Sequence, residues 1–122
     1  MRQITATLVF DSYDAPAPAG VRAIGDRPRR MIFKAGGIDI DVKIEATQME
    51  KQISLDGQVL GNQEAFYKNA PVGLESHGVV RYTTTTNEVG EFTFDVPPDS
   101  YNLSIDLPEG QLTIFRVFSG AA

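Results

Sequence analysis

Between Gly90 and Leu107 the chain alternates twice. Phe92, Phe94 and Val96 interleave with Glu91, Thr93 and Asp95, and Tyr101, Leu103, Ile105 and Leu107 interleave with Asn102, Ser104 and Asp106. A period of two places each apolar set on one face of a strand. Pro97-Pro98-Asp99-Ser100 separates the runs, because proline fixes φ and has no N–H for a ladder. The pattern predicts a hairpin with one face for a core and one for water. Ile38, Ile40, Val42 and Ile44 alternate as cleanly with Asp39, Asp41, Lys43 and Glu45, after a turn at Ala35-Gly36-Gly37.

Weaker versions of the same pattern fill most of the remaining chain. Ile4 to Phe10 reads as one strand, with Ile4, Ala6, Leu8 and Phe10 on a common face. Met31 to Lys34 is a short strand. Gln52 to Leu60 turns Ile53, Leu55, Gly57 and Val59 inward, and Gly57 inside a strand points to a bulge or a close backbone approach. Pro71 to Glu75 and Val79 to Thr86 flank a turn at Ser76-His77-Gly78, and the second is rich in β-branched residues. Leu112 to Phe118 is apolar on both faces, which places it centrally or under cover. No segment longer than a turn carries a helical period, and only Gln63 to Lys68 could form one helical turn. About eight or nine strands at short intervals predict an all-β antiparallel sandwich. Its core should include Ile40, Val42, Ile53, Val59, Phe92, Phe94, Tyr101, Leu103 and Ile105.

Asp11 to Arg30 breaks the pattern. It holds Pro16, Pro18, Gly20, Gly25 and Pro28 with no sustained apolar period, and reads as a long loop. Structureless loops beyond about 12 to 15 residues are uncommon in compact domains and often carry function. Its second half gathers Arg22, Arg27, Arg29 and Arg30 against the single Asp26, on a chain of net charge -5. These arginines are the first candidate for a contact surface with an acidic protein partner, against the simpler reading of a solvated loop in which some of them pair with local carboxylates.

Composition narrows the classes. A chain of 122 residues suits one domain, 1–122, with a core large enough to need no staples. There are no cysteines, which removes disulfides and thiolate metal sites, and one histidine, which leaves no zinc-binding set. The acidic balance weighs against nonspecific nucleic-acid binding. Neither a signal-peptide apolar stretch nor a membrane span of roughly 18 apolar residues is present. As given, the chain reads as cytoplasmic, and an exported domain separated from its leader fits the same residues.

Candidate chemistry is sparse. Asp39, Asp41 and Glu45 share a strand face but lack the looped oxygen cage that calcium needs, so they read as a solvated face. Asp11 and Asp14 read as turn residues bonding nearby amides. Ser76 beside His77 does not establish the geometry of a nucleophile and its base. No glycine-rich phosphate loop precedes a helix. No catalytic residue, metal ligand or cofactor is assigned. Phe66, Tyr67 and Tyr82 could stack on a sugar ring, against the simpler reading that they cap the ends of the sandwich.

One resemblance runs through the second half. Ile53 and Gly57-Gln58-Val59, Asn69-Ala70-Pro71-Val72, the threonines Thr83 to Thr86, Asn87-Glu88 and Gly90, Phe92 and Phe94, Val96-Pro97-Pro98, and Tyr101, Leu103 and Ile105 follow one another in that order. This order resembles the carboxypeptidase regulatory-like domains and the related Cna protein B-type repeats, over about residues 51–118. The resemblance implies a transthyretin-like (prealbumin-like) Greek-key β-sandwich and a non-enzymatic role as a spacer, docking module or folding aid. Carbohydrate binding is the alternative it allows. The chain departs from the family at Asp99-Ser100, where glycine usually precedes the tyrosine. Leu112 to Phe118 holds no asparagine for the isopeptide bond that some repeats form, so none is expected. Residues 1–50 match nothing in the family and must add strands to the same sandwich or form an extra sheet.

Overall fold

The computed structural model describes residues 2–14, 28–47, 52–61 and 67–119. They form ten strands: β1 (Gln3–Thr5), β2 (Thr7–Asp11), β3 (Arg29–Ala35), β4 (Ile38–Thr47), β5 (Gln52–Leu60), β6 (Pro71–Ser76), β7 (Val79–Thr85), β8 (Glu91–Val96), β9 (Ser100–Leu107) and β10 (Gly110–Ser119). Two five-stranded sheets result, ordered β1-β10-β9-β6-β7 and β2-β3-β4-β5-β8. One hydrophobic cluster takes residues from both sheets, giving a β-sandwich-like fold. Every strand pair is antiparallel except β1 with β10, which run parallel, so the expected all-antiparallel pairing fails at that edge. Among the described residues no helix is long and apolar enough to cross a membrane.

Alternation does the sorting. In β8 and β9 the residues at every second position are buried, from Phe92 to Val96 and from Tyr101 to Leu107. All the core residues named from the sequence are buried, with Ile40, Val42, Val59, Leu103 and Ile105 fully so. The first half joins the same core: Met31, Phe33, Ile38, Ile40, Val42 and Ile44 are buried in it, and β4 pairs along its length with β5. The N-terminal strands therefore extend the sandwich.

Three local expectations change. Gly90 to Leu107 is not a hairpin: β8 lies in one sheet and β9 in the other, so Pro97-Pro98-Asp99 forms an arch between sheets. Ile4 to Phe10 is not one strand of one sheet either. The chain leaves β1 at Ala6 and enters the facing sheet as β2, where Leu8, Val9 and Phe10 are exposed at the edge. The segment read as a loop starts and ends in structure: Asp11 closes β2, Ser12–Asp14 form a 3-10 turn, and Arg29 and Arg30 open β3. Arg22, Arg27, Phe66 and most of the expected turn at Gln63 to Lys68 lie outside the described residues.

The arch is fastened by side chains. The Tyr101 hydroxyl donates to the Pro97 carbonyl at 2.6 Å, across the bend it must hold. Ser76 Oγ donates to Asp99 Oδ2 at 2.9 Å, and the Ser100 amide donates to Asp99 Oδ1 at 2.7 Å. The β6–β7 turn packs beside this arch. His77 (φ 54) and Gly78 (φ 77) are its two central residues, both left-handed as a tight primed hairpin turn requires.

Candidate functional site

The two described arginines of the basic segment use their guanidinium groups inside the chain. Arg29 donates twice to Asp11, at 3.0 and 2.5 Å, and lies over the Tyr13 ring. That fork, with the Tyr13 amide, holds the Asp11 carboxyl below its ordinary range even though burial pushes the other way. Arg30 makes the same two-pronged contact with Asp41 on β4, at 3.1 and 2.6 Å, and also accommodates Ser12 Oγ on its amide. The acidic row on β4 is likewise matched: Asp39 faces Lys34, Asp41 faces Arg30 and Glu45 faces Lys43. Among the described residues no group of three or more metal-ligating side chains gathers.

The described aromatics of the stacking set are also engaged. Tyr82 is half-buried and meets Tyr101 edge to face, with ring centroids 6.2 Å apart. Tyr67 covers Gly61, where an added Cβ would stand 2.9 Å from its ring, and its hydroxyl donates to the Glu109 carboxylate. Burial and that carboxylate push the Tyr67 phenol up to about 12. Tyr67 and Glu109 line an open cleft of about 400 Å³ with Arg2, Ile4, Ile38 and the Gly36-Gly37 turn.

Ser76 and His77 both come to Asp99. His77 Nε2 lies 3.3 Å from Asp99 Oδ1, while Ser76 Oγ bonds Oδ2. The carboxylate stands between hydroxyl and imidazole, whereas a serine nucleophile needs the imidazole next to the hydroxyl. The arrangement clamps the β6–β7 turn to the arch. The Ser100 amide first, then the Ser76 hydroxyl and the His77 ring, hold the Asp99 carboxyl below its ordinary range.

The most exposed large apolar residue among those described was not anticipated. Phe115 is 65% exposed, in a strand expected to be covered. Ile114 pairs with Leu103 and Phe118 with Tyr101, so Phe115, Arg116 and Val117 together oppose Asn102 alone. The bulge turns Phe115 out while Val117 stays buried. Asn102 Oδ1 holds it open by accepting the Arg116 amide at 2.8 Å. Arg116 sits at φ 55, a left-handed conformation that costs a non-glycine residue roughly 1 to 2 kcal/mol. Backbone strain of this kind persists where surrounding contacts over-determine it.

Phe115 has company on the outer face. Val80 pairs with Glu75, Glu75 with Asn102, and Asn102 faces the bulge, so register sets one row across β7, β6, β9 and β10. Three strand spacings make that row about 14 Å long. Val80 is 53% exposed, and its neighbour Val79 is exposed beside it. A second irregularity, between Leu74 and Glu75, leaves Arg81 unopposed in β7.

No family model, curated protein or solved structure matches the chain.

Proposed function

We propose that the chain is a non-enzymatic accessory domain that docks another protein, built as the transthyretin-like Greek-key sandwich that the resemblance over about residues 51–118 implies. The observation that carries the docking reading is Phe115. It is a phenylalanine 65% exposed on a left-handed bulge that Asn102 holds in place, and an exposed large aromatic is a common anchor at protein interfaces. Aromatic and arginine side chains are enriched at protein interfaces, and Arg116 adjoins the ring. The arginine set proposed from the sequence gives less support. Arg29 and Arg30 are taken up by Asp11 and Asp41, and Arg22 and Arg27 are outside the described residues. The carbohydrate alternative is weaker too, because Tyr67 and Tyr82 have ring contacts within the chain.

Affinity capture from the source cells tests the reading, with Phe115→Ser plus Val80→Asp beside the parent. The parent should retain a protein that the double variant loses while keeping its melting temperature. Retention of the same proteins by both would remove this face from the reading. A glycan array that bound the parent through Tyr67 would favour the carbohydrate alternative instead.

A further inference from the structure

The two sheets differ in what they show to solvent. Register lines up Thr5, Thr113, Ser104, Gly73 and Thr83 in one row across all five strands of the sheet that carries Phe115. Buried Leu112, Ile114, Leu103, Ile105 and Leu74 alternate with it, so the row lies on the outer face. None of its members is charged, and none is larger than threonine. A Cβ added to Gly73 would stand 3.1 Å from Ser104 Oγ and 3.4 Å from Val80 Cγ1, which puts its bare backbone on the same face as both. The other sheet has charged rows instead: Arg30, Lys43 and Asp56 pair across three strands, and Asp41 and Glu91 flank Gln58 in the next row.

We infer that the Phe115 face packs against the same face of a second copy of the chain, sheet on sheet about a two-fold axis, with each Phe115 seated on the Thr-Ser-Gly row of the other copy; this rests on the docking reading above. Charge favours this occupant. Copies of a chain with net charge -5 repel one another over most of their surface. On this face Glu75 and Asp106, with Asp99 at its end, nearly cancel against Arg81 and Arg116, and none of them lies in the central row. Two like-charged copies meet here at the least electrostatic cost, and a centre depleted of charge is what protein interfaces show.

Shape and size agree. A two-fold interface needs the projection and the surface that receives it on one patch. Phe115 is the projection. The floor of small side chains begins two residues along β9, at Ser104 against Asn102, about 7 Å away. Five strands about 4.8 Å apart and some six residues of about 3.4 Å make the face roughly 24 by 20 Å, or about 480 Å² in projection. Two such faces supply close to the ~1,000 Å² at which specific interfaces begin, before the relief of the side chains is added.

Sedimentation equilibrium of the full chain from micromolar to millimolar concentrations tests this, beside Phe115→Ser, Ser104→Arg and, on the facing sheet, Ser54→Arg. The parent should pass from monomer to dimer as concentration rises. Phe115→Ser and Ser104→Arg should each weaken the dimer at least about tenfold, and Ser54→Arg should leave it unchanged. Added salt should not weaken association, because it screens the repulsion between acidic copies. In a mixture of isotope-labelled and unlabelled protein, filtered NOEs should join the Phe115 ring of one copy to the Thr83 and Thr113 methyl groups of the other.

A chain that stays monomeric throughout, while Phe115→Ser still abolishes capture of a different protein, would overturn the second copy and leave the docking reading standing. A monomer that captures nothing through Phe115 would overturn both. A dimer untouched by Phe115→Ser and Ser104→Arg would place the contact elsewhere, such as the exposed Leu8-Val9-Phe10 edge, and overturn this one. Circular dichroism melts of each variant show that loss of association is not loss of fold, and Thr83→Arg, on the same floor, takes the place of Ser104→Arg should that variant melt early.

Discussion

A Cβ added to Gly57 would stand 2.2 Å from Cζ of Phe92. The two residues are directly paired across β5 and β8, and the phenylalanine ring covers the bare backbone of its partner. Gly57→Ala must push a buried ring aside, and overpacking of this kind costs about 1 to 3 kcal/mol. In a Phe92→Ala background the same change should cost little, because the obstruction is gone. Denaturant melts of the four members of this cycle should give a coupling well above additivity. An additive cycle would mean that the ring does not lie over Gly57.

The sequence marked Gly57 as a bulge or a close approach; no bulge is there, and the close neighbour, the Phe92 ring, was not legible. Alternation in β4, β5, β8 and β9 reports which side chains face inward, and it reported them correctly. It carries no information about which sheet a strand joins. Ile4 to Phe10 keeps its period while the chain passes at Ala6 from one sheet to the other. Pro97-Pro98 signals a break, but a hairpin and an inter-sheet arch leave the same pattern on either side. The Phe115 bulge is invisible for a different reason. Arg116 adopts φ 55 without being glycine, so no turn residue announces it. Composition allowed that some of the arginines pair with carboxylates, but the pairs Arg29–Asp11 and Arg30–Asp41 join residues far apart in the chain, so it could not say which.

Phe94 is 5% exposed and meets Phe92 edge to face at 6.2 Å. Phe94→Ala should cost on the order of 3 to 5 kcal/mol, the range for removing a buried ring from a packed core. A thermal melt displaced by only a degree or two would be incompatible with that burial.

Residues 1–50 supply part of the core, since Ile38, Ile40, Val42 and Ile44 pack in the same cluster as Phe94 and Leu103. A chain beginning at Lys51 should be insoluble or melt without cooperativity. If it unfolds cooperatively with the stability of the full chain, the two halves are independent units.

Tyr101 is buried, and burial first, with Tyr82 and Asp99 nearby, pushes its phenol from 10.0 up to about 12. A raised folded pKa contributes stability that is complete below 10.0 and disappears as pH rises through about 12. Tyr101→Phe should remove its own share of the alkaline loss in that window, and Tyr67, whose phenol is also pushed up to about 12, supplies another. It should also cost about 1 kcal/mol near neutrality, by deleting the bond to Pro97 that holds the arch. An unchanged alkaline limb in urea melts across pH 9 to 12 (roughly the span that brackets the titration) would exclude this role.

Arg29 and Arg30 are adjacent in sequence and should behave differently when reversed. Arg29 faces an Asp11 carboxylate that is only 5% exposed, and it alone of the pair approaches the Tyr13 ring. Arg29→Glu places a second negative charge against that carboxylate, and loss of its partner costs about 1 to 3 kcal/mol or more. Arg30 and Asp41 are 57% and 33% exposed, where an ion pair contributes at most about 1 kcal/mol. Acid tests the Arg29 fork a second way. Asp11 titrates below its ordinary 3.8 in the folded chain, so its contribution is present above 3.8 and is lost as pH falls through the lower folded value. Stability of the parent should therefore fall on acidification, and Asp11→Asn should remove the Asp11 share of that loss, Asp99 supplying another. Urea midpoints at neutral pH and near pH 3 read all of these at once. Equal effects of the two arginine reversals, or an acid limb that survives Asp11→Asn unchanged, would show that the Asp11–Arg29 fork does not secure the junction of β2 and β3.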